Sequence, residues 1–289
     1  MAPEKETDEY SGRETTGHEW DGIKELNNPL PRWWLWTLYA TIVWGIGYMI
    51  AMPAVPLIGG YTEGLLGYSS RKSHVEEMKA IADSRAGLRA QIAEADLAAV
   101  RGDPDLLQFA IAGGRSAFAV NCIQCHGLGA AGFVGYPNLN DDDWLWGGTL
   151  DQIHDTIRYG IRSEHDDTRA SDMPAFLEDE VLDEAEISDV AEHILALMGE
   201  DHDQNTAARG SEIFAEECVM CHGETGDGIR ELGAARLNDA LNLYGADKRS
   251  LIETISHSRG GVMPAWEGRL DPVTLKQLAV FVHSLGGGE

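Results

Sequence analysis

All four cysteines of the chain fall in two copies of one pentapeptide, Cys122-Ile-Gln-Cys125-His126 and Cys218-Val-Met-Cys221-His222. C-x-x-C-H is the signature of covalent c-type haem attachment. The spacing sets two thiols about one helical turn apart, where they can add to the two vinyl groups of a haem. The adjacent histidine then swings under the ring as the proximal iron ligand. Rival uses of such cysteines fit less well. The paired knuckles of a zinc ribbon lie about 15–20 residues apart, whereas the first cysteines of these motifs are 96 residues apart. A redox dithiol has no need of a histidine directly after both pairs. Two motifs with no spare cysteine predict two covalently bound haem c groups, held through Cys122, Cys125, Cys218 and Cys221, with His126 and His222 on the irons.

Each copy also offers a distal ligand. Met173-Pro174-Ala175-Phe176 lies 47 residues after His126, and Met263-Pro264-Ala265-Trp266 lies 41 after His222. A Met-Pro in a loop before a last helix resembles the sixth-ligand segment of class I cytochromes c. Thioether ligation favours ferrous iron and raises the potential. Each methionine is assigned by default to its own repeat, although two packed domains could exchange them. His154, His165 and His257 are the competitors for a bis-histidine site and read as surface or packing residues; Met198 and Met220 read as core or rim. A six-coordinate His/Met iron has no vacant position, which speaks for electron transfer over substrate activation. No catalytic constellation stands out, and the carboxylate runs (Asp141–Asp143, Glu164–Asp167, Glu178–Glu186, Glu200–Asp203) read as solvated surface.

The elements that must position these groups repeat as well. Gly114 and Phe118 precede the first Cys by eight and four residues, as Gly210 and Phe214 do in the second copy. A glycine and an aromatic on one face suit a helix that another helix crosses closely. Downstream, Leu139-Asn140-Asp141 matches Leu237-Asn238-Asp239, and Thr156-Ile157 matches Thr254-Ile255. Each copy finishes with an amphipathic helix, through Ile187, Val190, Ile194 and Leu197 in one and Leu275, Leu278, Val282 and Leu285 in the other. Nothing reads as a β-sheet. The repeats predict two helical domains, 105–204 and 205–289.

Before them, Trp33 to Met52 contains no charged residue, and twenty helical residues span about 30 Å, the thickness of a bilayer's hydrocarbon core. Trp33, Trp34 and Trp36 cluster at its start like an interfacial belt, and Pro53 and Pro56 mark its exit. The expected organisation is a cytoplasmic juxtamembrane segment 1–32, a transmembrane helix 33–58, a linker 59–104 carrying a helix with Met78, Ile81, Leu88 and Ile92 at helical spacing, and the two domains. The fold class is all-α, with one N-terminal transmembrane helix followed by two tandem class I cytochrome c domains. Flanking charges are nearly balanced, so orientation follows from the cofactor instead. Haem c is attached outside the bacterial inner membrane, which puts the haem domains in the periplasm and the N-terminus in the cytoplasm.

The 289 residues suffice for two folded units, and 43% hydrophobic content rules out wholesale disorder. Lys and Arg number 22 against 48 Asp and Glu, a net charge of −26. That excess argues against nucleic-acid binding, which needs phosphate neutralisation. Residues 101–205 hold 5 basic and 22 acidic side chains, against 8 and 12 in 206–289. Such a field could steer a lysine-rich donor cytochrome with salt-sensitive association. Against this, the first domain lies nearer the anchor, so it could equally be the exit.

The stretch His18-Glu-Trp-Asp-Gly-Ile-Lys-Glu-Leu-Asn-Asn-Pro-Leu-Pro-Arg-Trp-Trp34 and the loop Tyr61-Thr-Glu-Gly-Leu-Leu-Gly-Tyr-Ser69 resemble the di-haem subunit family of cbb3-type cytochrome c oxidases (CcoP, also FixP). The order of anchor, loop, helix and two cytochrome domains is similar over essentially the whole chain. The resemblance implies a proton-pumping terminal oxidase in which another subunit carries haem b, the high-spin haem and copper, accompanied by a mono-haem c subunit. This chain would take electrons from a donor cytochrome c and pass them through its haems towards that subunit, with no oxygen-reducing site of its own. The alternative is a free-standing, membrane-anchored di-haem shuttle.

Overall fold

The computed structural model describes residues 6–239 and 241–289. The chain divides into two units, Met1–Ser84 and Arg85–Glu289. In the first, β1 (Thr15–Trp20) pairs antiparallel with β2 (Ile23–Leu26), Trp20 facing Ile23 and Glu19 facing Lys24. The sequence reading missed this hairpin. Its signal is Asp21-Gly22, whose φ angles of 49° and 85° make the two-residue turn that matches strand twist.

Helix α1 (Arg32–Ala51) follows, 20 residues with none buried. It ends one residue before the Met52-Pro53 pair, where proline steers its predecessor out of the helical region. Its aromatic and branched side chains face outward on all sides, a surface that needs lipid or other helices as solvent. A two-residue ladder, β3 (Pro56–Leu57) with β4 (Gly60–Tyr61), closes the loop beyond it.

The larger unit is helical. It holds the end of α2 (Ser70–Glu94), α3 (Leu97–Gly102), α4 (Pro104–Asn121), the single turn α5 (Ile123–His126), α6 (Leu150–Tyr159), α7 (Glu184–Met198), α8 (Gln204–Glu217), the single turn α9 (Val219–His222), α10 (Lys248–His257) and α11 (Pro272–His283). Part of the acidic excess has a local use. Asp96, Asp103, Asp183, Asp203, Asp247 and Asp271 each cap a helix by accepting backbone amides of its first turn.

Packing crosses the sequence repeat. The first helix of repeat one, α4, lies on the last helix of repeat two, α11, while α8 of repeat two lies on α7 of repeat one. Gly114 and Gly210 are the crossing points. A Cβ on Gly114 would collide with Gln277 and Phe281 of α11, and one on Gly210 with the backbone of Asp189 and Val190 in α7. The cause lies in chain length. Only residues 199–203 separate α7 from α8, and Gly199 turns the chain in the left-handed region at φ 76°. Helices so closely joined become antiparallel neighbours. With α7 committed to α8, the apolar face of α4 is left for α11.

Two clusters result. Half one gathers Phe118, Ile153, Ile157, Leu275, Leu278 and Phe281. Half two gathers Ile187, Val190, Ile194, Phe214, Leu251 and Ile255. A third, smaller cluster packs the end of α2 and α3 over half one, through Ile92, Val100 and Val280. Lys276 of α11 donates to the carbonyls of Ile92, Ala93 and Ala95 at 2.6–3.0 Å, satisfying the open end of α2.

Candidate functional site

Each C-x-x-C-H motif is built at the end of a long helix that stops at its first cysteine. Cys122 and Cys218 have nearly the same backbone angles, φ −112° and ψ −29° against φ −113° and ψ −30°, and each begins a one-turn helix ending in His126 or His222. Gly127 and Gly223 follow and let the chain turn away. Burial pushes the Cys122 thiol up to about 11, with the Cys125 charge adding to it, and Cys218 up to about 12, with Glu217 and Cys221 adding. Cys125 and Cys221 are exposed.

The imidazoles are oriented from behind. His126 Nδ1 lies 3.2 Å from the Pro137 carbonyl oxygen, and His222 Nδ1 2.8 Å from that of Ala235, equivalent positions of the repeat. A carbonyl can only accept, so Nδ1 carries the proton and Nε2 keeps its lone pair free for a metal. Burial lowers both histidine pKa values, the carbonyl bonds opposing it, which favours the neutral, ligating form.

The methionines sit where the crossed packing takes them. Met263 belongs to the cluster of Phe118, Cys122 and Ile123, and Met173 to that of Phe214, Cys218 and Val219. Each methionine thus lies in the cluster of the other repeat's motif. The backbone enforces this. Met263 exchanges two hydrogen bonds with Ile161, both 3.0 Å, beyond the end of α6. Met173 accepts from the Ser258 hydroxyl, and Phe176 N–H donates to Ile255 O at 3.1 Å, at the end of α10.

The competing histidines are occupied elsewhere. His165 accepts from the Asp167 amide at 3.0 Å and lies 3.2 Å from Glu267, and His257 lies 2.8 Å from Glu178. His154 is half-buried 4.0 Å from Asp155. Met198 packs against the core of half two and accepts from Asn242 at 3.4 Å, while Met220 is exposed.

One feature of the sequence was overlooked. Arg169 donates to the carbonyls of Trp146 (3.2 Å) and Gln152 (3.3 Å), its guanidinium 5.7 Å from the Trp146 ring centre. Arg259 donates to those of Tyr244 (3.5 Å) and Ser250 (2.7 Å), 4.7 Å from the Tyr244 ring centre. Trp146 and Tyr244 are repeat equivalents, as are Gln152 and Ser250, and the two arginines are equivalent as well, each four residues before its Met-Pro methionine.

Two thiols a turn apart, an imidazole with Nε2 free and a thioether in the same cluster form a donor set that fits haem c. Two such sets on one helical unit, with a lone apolar helix before it, define a tandem c-type cytochrome of the membrane-anchored class. The comparisons name its relatives. Residues 12–59 match the N-terminal domain of cytochrome oxidase-cbb3, FixP, and residues 109–194 and 205–282 match cytochrome c oxidase, cbb3-type, subunit III. The chain is 52% identical over 276 residues, 95% of each chain, to the cbb3-type cytochrome c oxidase subunit CcoP of Cereibacter sphaeroides. It is 54% identical over 290 residues, the whole of both chains, to subunit FixP of Bradyrhizobium sp. strain ORS 278. With FixP of Azorhizobium caulinodans it shares 52% over 283 residues, 98% of this chain and 96% of the relative. The chain belongs to the CcoP/FixP family of cbb3-type cytochrome c oxidase subunits. Its two cytochrome domains imply covalently bound haem c.

Proposed function

We propose that the chain is a di-haem electron relay of a cbb3-type oxidase, with one haem c in each half and ligands drawn from both repeats. Cys122 and Cys125 bind one haem, whose iron takes His126 and Met263; Cys218 and Cys221 bind the other, whose iron takes His222 and Met173. The observation that carries this reading is the crossed pairing itself, since each motif's core cluster includes one Met-Pro methionine, supplied by the other repeat. When bound, haem c supplies a one-electron iron couple. The chain's own residues hold that couple in place. Pro137 and Ala235 fix the histidine tautomer, and the end of α6 or α10 fixes the methionine loop. With a histidine and a methionine holding each iron, haem c bound here would serve electron transfer and not oxygen reduction.

The N-terminus lies in the cytoplasm, α1 crosses the inner membrane once, and the helical unit is periplasmic. Partners are a catalytic subunit with haem b and copper, a mono-haem c subunit, and a donor cytochrome c. Electrons pass from the donor towards the catalytic subunit, whose oxygen reduction is coupled to proton pumping. The crossed packing supports a docking side for the donor. Residues 170–260, which build half two, hold 21 acidic and 6 basic side chains, against 13 and 7 in residues 101–169 and 261–289 of half one. The acid-rich segment of repeat one that contains α7 packs with the second motif. A lysine-rich donor is steered to half two.

The test is the content of haem b and copper, per haem c, in material purified gently from native membranes. A fixed ratio, two haem c on this chain, and loss of haem b and copper when residues 1–60 are deleted are expected. Haem c alone, with no copper and no oxygen uptake, would make the chain a free-standing shuttle.

A further inference from the structure

Both Met-Pro loops are tied to one side chain. Arg162 lies just beyond the end of α6, half-buried. Its Nε donates to the Gly261 carbonyl at 2.8 Å and its Nη1 to the Ser171 carbonyl at 2.9 Å. Gly261 stands two residues before Met263 and Ser171 two residues before Met173, so the two bonds fall on matching points of the two loops. The rest of the residue is held as firmly. Its amide donates to Arg169 O at 2.8 Å. Its φ of 49° keeps a non-glycine residue in the left-handed region, a conformation that persists only where the surroundings impose it. Gly260 leaves the guanidinium its room, since a Cβ there would come within 3.3 Å of Arg162 Nε. Other contacts serve one loop each: the Ile161 backbone holds Met263, and the Ser258 hydroxyl donates to Met173 O.

We propose that Arg162 is a positioning residue shared by both haem sites: its guanidinium sets the two methionine loops against each other and so couples the two sulfur–iron bonds. This rests on the two-haem reading above. A guanidinium presents its donors in a fixed planar fork, so the two carbonyls it bridges are held at a set separation. Displacing one loop moves the fork and slackens the other loop. That is a coupling between two sites carried by one named group. Lysine in its place keeps the charge but has a single ammonium on a flexible stem, which cannot hold two loops in register. Thioether ligation favours ferrous iron, so a loosened methionine lowers the potential of its own haem. Arg162 thus bears on both potentials at once, whereas Ser258 bears on one.

The experiment uses the full-length chain purified in detergent with its haem. In a ferrous low-spin haem the ε-methyl group of a ligating methionine resonates far upfield, so NMR of the reduced chain gives one such signal for each sulfur–iron bond. Spectroelectrochemical titration of the same samples gives the two midpoints. Arg162→Lys is expected to shift or erase both methyl signals and to lower both midpoints, although the charge is kept. Ser258→Ala is expected to move one signal and one midpoint. An R162K chain that keeps both haems and moves neither signal, or only one, would overturn the proposal. Should R162K fail to incorporate haem, Gly260→Ala decides instead. That residue belongs to the loop of Met263, so a change reaching both signals sustains the coupling and a change confined to one overturns it. Wild type with fewer than two haem c per chain, or without two upfield methyl signals, would instead sink the reading on which this one rests.

Discussion

Helices α7 and α11 occupy matching places in the two halves, and one buried position separates them. Aligning Ile187, Val190 and Ile194 with Leu275, Leu278 and Val282 sets Glu192 opposite Val280. Val280 is packed among Ile92, Val100, Leu106 and Ala110, because α3 and the end of α2 roof that side of half one. Among the described residues, half two has no such roof. There Glu192 accepts from Lys248 of α10 at 2.7 Å and from the Asp203 amide at 2.8 Å, at the turn into α8. The same helical slot is thus apolar where other helices cover it and ionic where a turn must be held. Duplicated architecture fixes the slot, and the neighbours choose its chemistry.

The largest expected effect would break the comparison at the ligands. In a chain lacking the second attachment site (C218A/C221A), M263A should abolish the sulfur-to-iron charge-transfer band of the remaining haem, and M173A should leave it. The reverse result would return each methionine to its own repeat and undo the exchange. Next in size come the helix crossings. G114V and G210V each force a side chain into the partner helix's backbone, and overpacking of this kind costs about 1–3 kcal/mol. Thermal unfolding followed at the haem bands should show both variants weakened. Equal tolerance of valine at either glycine would mean the crossings are looser than drawn.

The sequence carried the chemistry further than the assembly. Motif spacing made Cys122 to His126 and Cys218 to His222 legible as candidate haem sites, because covalent attachment demands contiguous residues. The Gly and Phe positions told that a helix crosses there, and Gly114, Phe118, Gly210 and Phe214 are indeed buried at crossings. Which helix crosses was not legible, since α7 and α11 carry interchangeable apolar stripes and only the five-residue link to α8 chooses between them. The Asp21-Gly22 hairpin was legible and overlooked. So was the equivalence of Arg169 and Arg259, each four residues before its Met-Pro methionine.

Comparing Glu192 with Val280 also yields a smaller, pH-dependent prediction. Hydrogen bonding to Lys248, then to the Asp203 amide, lowers the Glu192 pKa. The unfolded chain therefore binds that proton more tightly, so the contribution is complete above the ordinary glutamate range and lost as pH falls through the lowered folded value. E192A should cost about 1.5–3 kcal/mol near neutral pH, as for hydrogen bonds to charged groups. That cost should shrink in acid. V280A should cost about 1.5 kcal/mol, from two lost methyl groups, at every pH. Chemical denaturation at neutral and acid pH separates the two; an E192A cost that does not change with pH would leave the carboxylate a mere space-filler.

The smallest effect concerns the two surfaces. If half two receives a basic donor, its second-order rate should fall about tenfold or more from low to high ionic strength, because exposed charges are screened beyond a Debye length. Removing equal charge from each half then tells them apart. E200Q/E212Q/E216Q takes three exposed carboxylates from half two, and D142N/E164Q/D166N takes three from half one. At low salt the first triple should slow reduction by the donor more than the second, and the two should converge as salt is raised. Equal slowing would mean the donor senses only total charge, and greater slowing by the second triple would move the docking side to half one.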